Sequence, residues 1–87
     1  MKTASGFEFK VLESSKDDYE LVEMLASLKD DSLGLPEAIR RLIGEEGRTR
    51  LKEHCRDDKG IVSAKRMTEE MLEIMRKANA EDPEVKN

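Results

Sequence analysis

Aromatic residues are scarce in this chain: Phe7, Phe9 and Tyr19 are all it has, and tryptophan is absent. With 87 residues the chain makes one domain. A domain of that size buries roughly 60–65% of the surface its unfolded chain exposes, and so few aromatics thin the core further. Association with another polypeptide is the natural way to add burial. Cysteine is present once, as Cys55, so no intramolecular disulfide can form. That excludes the bridged scaffolds of small secreted proteins and fits a reducing cytoplasm. Long apolar runs are missing as well. The first residues lack the stretch of about 7–15 apolar residues found in a signal peptide, and nothing approaches the roughly 20 that span a membrane.

Charge, in contrast, is plentiful. Charged residues make up 41% of the chain and hydrophobic ones 37%, with a net charge of −4. The sign disfavours nucleic acid, which is bound through Lys and Arg that neutralise phosphates. The distribution is uneven: residues 1–36 carry four Lys against eight acids, and residues 37–56 carry six basic residues against four acids. Arg40, Arg41, Arg48 and Arg50, with Lys52, therefore form a candidate basic patch. Its ordinary reading is a solvated helix surface of mixed charge. The alternative is a small helical DNA-associated regulator.

Hydrophobic periodicity supplies the elements. Phe7, Phe9 and Val11 alternate with charged residues, the pattern of a half-buried strand over about residues 6–12. Such a strand must pair with Met1–Ala4 as a hairpin or with another chain, and an unpaired edge would be a surface for homo-oligomers. Asp17 and Glu20 read as a capping box for a helix running to about Lys29, with Leu21, Val22, Met24, Leu25 and Leu28 as its apolar face. Pro36 opens a second helix carrying Leu35, Ile39, Leu42 and Ile43 on one stripe, and Gly44 supplies its stop. A third, weaker pattern spans residues 45–56, interrupted by Gly47, with Leu51 and Cys55 as a thin apolar edge. Asp57 to Gly60 is a turn. Ser63 caps the last helix, on which Ala64, Met67, Met71, Ile74, Met75 and Ala78 share a face. The expectation is a mainly helical fold: a small bundle of about four helices preceded by a short N-terminal strand or hairpin. It forms one domain over residues 1–79, and residues 80–87 make a disordered tail.

No catalytic signature emerges. His54 and Cys55 are adjacent, so on a helix their side chains diverge by roughly 100° and cannot form a dyad. One His and one Cys fall short of a structural zinc site. Asp57 to Gly60 lacks the spaced acids of a calcium loop. Glu69, Glu70 and Glu73 read as solvated acids on the polar side of the last helix. Gly44 and Gly47 lack the Gly-Lys-Ser/Thr of a phosphate loop. The expectation is a protein that is not an enzyme and has no cofactor or metal.

The methionines are the remaining feature. Met67, Met71 and Met75 follow one another at i+4, an adaptable row that either fills a loosely specified core or receives an apolar partner. The candidate core or partner-binding face is Leu21, Leu25, Leu35, Ile39, Met67, Met71 and Met75.

Several stretches together resemble a known family. They are Gly6-Phe7-Glu8-Phe9, then residues 17–26 (Asp-Asp-Tyr-Glu-Leu-Val-Glu-Met-Leu-Ala), Leu42-Ile43-Gly44-Glu45-Glu46, Leu51-Lys52-Glu53-His54, and residues 57–62 (Asp-Asp-Lys-Gly-Ile-Val). The chain resembles, over about residues 5–78, tail assembly chaperone-like proteins of long-tailed phages and prophages of Gram-positive bacteria. Tyr19 stands where those relatives usually carry Trp. The resemblance implies a non-enzymatic chaperone, encoded between the major tail protein and the tape measure protein. It would bind the tape measure protein and keep it soluble in the bacterial host cytoplasm while tail tube subunits polymerise around it. The tape measure protein is the implied partner, the major tail protein a second candidate. A structural accessory subunit of a phage particle is the remaining alternative.

Overall fold

The first helix begins where a side chain can close its open end. In the computed structural model, which describes residues 1–28 and 30–81, Asp18 lies in an extended conformation and its Oδ1 accepts from the Leu21 N–H at 3.0 Å. Such a cap contributes about 1 kcal/mol. It sits one residue beyond the expected Asp17, because residues Glu13–Asp17 coil into a 3-10 turn. Helix α1 is Tyr19–Ser27; Lys29, its expected end, lies outside the described residues. A second 3-10 turn, Ser32–Gly34, leads into α2, Leu35–Cys55. Helix α3 is Ala64–Glu81, capped by Ser63, whose Oγ accepts from the Arg66 N–H at 3.2 Å. The fold is mainly helical.

The count of helices among the described residues is three, not about four. Gly44 does take the positive φ expected of a helix stop, with φ 85° and ψ 169°. The chain resumes helical geometry at Glu45, so the two expected segments follow one another directly across a kink at Gly44, with no loop between them. A break of this kind releases carbonyls of the turn before it. The Leu12 N–H donates to one of them, the carbonyl of Leu42, at 2.8 Å, and the Leu12 side chain lies over Gly44.

The expected strand over residues 6–12 does not form. Over residues 1–12 there is a single antiparallel bridge, Lys2 to Glu8. The Thr3 N–H donates to the Phe7 carbonyl and the Phe9 N–H to the Met1 carbonyl, both at 2.9 Å. Pairing is thus within the chain, over too few residues to propagate a ladder. The homo-oligomer expected through an N-terminal strand loses its strand. The period-two pattern survives as burial: Phe7 and Phe9 are buried and Glu8 is exposed. A second bridge, Arg56 to Val62, closes the turn before α3. There the Asp57 carboxylate accepts from the Lys59 and Ile61 N–H groups, each at 2.9 Å.

Two compact units make up the chain. The terminal unit comprises Met1–Phe9 and the chain from Leu51 onward, and the central unit is Lys10–Arg50. Phe7, Phe9, Leu51, Cys55, Met67, Met71 and Ile74 are the buried apolar residues of the first. Leu21, Leu35, Ala38, Ile39, Leu42 and Ile43 are those of the second. Helix α3 ends two residues past the expected boundary at 79, and residues 82–87, assigned to the tail, lie outside the described residues.

Candidate partner-binding surface

Three arginines of the basic patch, Arg40, Arg41 and Arg48, are engaged by carboxylates. Arg40 pairs with Glu37, its Nε donating to Oε1 at 2.9 Å. Arg41 reaches three acids: Asp18 through Nη1 at 3.1 Å, Glu37 through Nε at 3.2 Å and Glu20 at 3.3 Å. Arg48 pairs with Glu45, and Arg50 is exposed but not free. The pairing marks the acids as well. The Arg40 guanidinium, followed by Arg41, holds the Glu37 carboxyl down to about 2. The Leu21 N–H and then Arg41 lower that of Asp18. Guanidinium groups already clasped by carboxylates project little field toward phosphates, so Arg40, Arg41 and Arg48 give the DNA reading no support.

The seven apolar candidates divide between the units. In the central unit Leu21, Leu35 and Ile39 are buried and Leu25 is half-buried. In the terminal unit Met67 and Met71 are buried and Met75 is half-buried. Within each unit the candidates therefore lie in or at the edge of its interior.

Exposed apolar surface lies elsewhere, most compactly on α1. Helix geometry turns roughly 100° per residue, which sets Leu21, Met24, Leu25 and Leu28 on one side of α1 and Tyr19, Val22 and Ala26 on the other. The first group is buried or half-buried. In the second, Tyr19 is 72% exposed, Val22 55%, and Ala26 is exposed as well. Leu33, in the 3-10 turn that follows, is 87% exposed. A helix greasy on both faces while only one is buried leaves the other for a partner. Val22 is counted with the inward face in the sequence, and Tyr19 is noted there only as an aromatic and through the family resemblance. The legible signal was the i, i+3, i+7 spacing of Tyr19, Val22 and Ala26, opposite the leucines.

The terminal unit holds a polar network that the sequence did not announce. Ser5 Oγ donates to Glu70 Oε2 at 2.9 Å and lies 2.9 Å from His54 Nε2 and 3.1 Å from Thr3 Oγ1. The Ala4 N–H donates to Glu73 Oε2 at 2.5 Å, and the His54 ring sits against Phe7 with centroids 5.3 Å apart. Glu70 is only 8% exposed, a correction to its reading as a solvated acid. Serine, histidine and glutamate meet here, but in the wrong order for a hydrolase triad. Ser5 has one proton and gives it to Glu70, so His54 Nε2 must donate to Ser5 instead of acting as its base. The network ties residues 3–5 to α2 and α3. Cys55 is fully buried, and that burial pushes its thiol up, with Arg66 opposing and Glu70 assisting; a protonated, inaccessible thiol is a poor nucleophile.

Among the described residues no group of three or more His, Cys, Asp or Glu is placed to hold a metal ion, and no helix is long and apolar enough to cross a membrane. Comparison of the chain with protein-family models, curated proteins and solved structures returns no match.

Proposed function

We propose that this protein is a non-enzymatic assembly chaperone of a long-tailed phage or prophage, acting in the cytoplasm of its bacterial host. Its client is the tape measure protein, which it keeps soluble while the tail tube assembles. No cofactor takes part. The reading rests on the family resemblance and on one structural observation: α1 exposes Tyr19 and Val22 on the side opposite its buried leucines. A long helical client carries an apolar stripe that aggregates when bare, and a short helix with a spare apolar face can cover it repeatedly along its length. The chain's negative charge would keep such a coated client dispersed.

Co-expression with the tape measure protein encoded beside it tests the proposal. The expected result is a soluble client that co-purifies with this chain and is later freed of it in mature tails. An insoluble client and no complex overturns the proposal; retention of the chain in mature tails marks a structural subunit instead.

A further inference from the structure

Helix α1 carries an acidic border beside its exposed apolar row. Between Glu13 and Asp31 the sequence has seven acids and two lysines. Asp17 and Glu23 are exposed and, among the described residues, have no ion-pair partner. Glu23 adjoins Ala26 on the wheel; Glu20, also exposed, follows it and is paired with Arg41, so Glu23 carries the unpaired charge of this flank. On the opposite flank the row passes into Leu25, which is half-buried. The surface is therefore apolar through Tyr19, Val22 and Ala26, with negative charge along one side.

From this we infer that the outer face of α1 docks a basic amphipathic helix, one whose apolar stripe is bordered by Lys or Arg. The inference rests on the chaperone reading and supplies the chemistry of the client segment. Ala26 lets a second helix approach closely, while Tyr19 and Val22 supply ridges for its grooves. A helix of nine residues is about 13–14 Å long, so the contact covers two to three turns of the partner. Charge selects among occupants. A second copy of this chain would bring the same acids into opposition, and an anionic lipid surface would be repelled. A segment bearing Lys or Arg beside its apolar stripe satisfies both halves of the surface.

The test uses the full chain and a synthetic amphipathic helical peptide of leucine and lysine, with a leucine–glutamate peptide as counterpart. Calorimetry measures affinity and backbone amide shifts map the site. The expected result is saturable binding of the lysine peptide, weakening as salt rises, with shifts concentrated on residues 19–27 and no binding of the glutamate peptide. Val22→Asp weakens binding about tenfold or more, since it places an unpaired charge in the contact. Glu23→Lys weakens it and flattens the salt dependence. Both positions are exposed, and circular dichroism confirms that each variant folds. Shifts confined to the terminal unit, equal affinity for both peptides, unchanged affinity in Val22→Asp, or self-association through α1 each overturn the inference. The co-expression experiment keeps the two proposals apart. If wild type and Val22→Asp solubilise the tape measure protein equally, the chaperone reading stands and the docking face falls. If neither solubilises it yet the lysine peptide docks on α1, the reverse holds.

Discussion

Ser5 donates its hydroxyl to Glu70 Oε2 at 2.9 Å, while the other oxygen of the same buried carboxylate meets no donor among the described residues. Half the hydrogen-bonding capacity of Glu70 thus rests on one residue of the N-terminal turn. Removing it leaves a buried acceptor unsatisfied, which costs about 1–3 kcal/mol. Ser5→Ala should lower the urea midpoint accordingly with an unchanged slope. Adding Glu70→Gln to it should cost less than the sum of the two single changes, because they share a bond. An unchanged midpoint in Ser5→Ala would show that the tether does not hold the terminal unit.

Acid should weaken the central unit through Glu37. The usual value of 4.5 for this carboxyl falls to about 2 in the folded protein. A group depressed by folding contributes stability above its unfolded value and loses it as pH falls through the folded one. The urea midpoint should therefore drop between about pH 4.5 and about pH 2. Glu37→Gln should flatten that slope. Added salt should shrink it too, since both partners are partly exposed. A slope identical in Glu37→Gln would mean that other carboxylates govern acid unfolding.

Gly47→Ala should destabilise, against the general rule for helices. Replacing glycine by alanine inside a helix ordinarily gains about 1 kcal/mol. Here an added Cβ would stand 3.0 Å from both Cβ and Cγ1 of Ile43, and Ile43 is itself buried. Overpacking of this kind costs roughly 1–3 kcal/mol. Gly34→Ala meets no atom within 4 Å and serves as the contrast. Thermal unfolding of the two variants side by side checks the prediction; a stabilised Gly47→Ala would refute it.

Met71→Ala should cost roughly 2–5 kcal/mol, the range for emptying a buried site of that size, because Met71 is fully buried. A chain of this length has a total stability on the order of 4–13 kcal/mol, so the variant stands near the edge of folding. Met75→Ala, at a half-buried position, should cost less. Denaturant midpoints decide the order, and equal losses at the two positions would contradict the burial seen along α3.

Much of the helical content was legible beforehand because local chemistry writes it. Ser63 caps through its hydroxyl, Gly44 takes the positive φ that the lack of a Cβ permits, and the stripes of Leu35, Ile39, Leu42 and Ile43 and of Met67, Met71 and Ile74 are buried as their spacing implies. The strand was not legible, because alternation of Phe7, Glu8 and Phe9 reports which side chains are buried and not how far a ladder extends. The candidate surface was legible only in part: the spacing of Tyr19, Val22 and Ala26 marks a second apolar side, but a wheel that is apolar on two sides cannot say which side finds a neighbour. Glu70 was misread for the same reason, since an acid on a helix flank becomes buried only when a distant segment folds over it.

The amino-acid sequence by itself determined helical class, the Ser63 cap, lack of disulfides and the stripes able to form an interior, because each depends on residues a few places apart. Tertiary structure alone decided that the Leu12 N–H meets a carbonyl freed at the Gly44 kink, that Arg41 gathers three carboxylates from two elements, that Ser5 reaches Glu70, and that Tyr19 and Val22 stay uncovered. These relations join positions far apart in the chain or depend on which face finds cover. Burial and pairing of that kind are settled by packing the whole chain, not by any local preference.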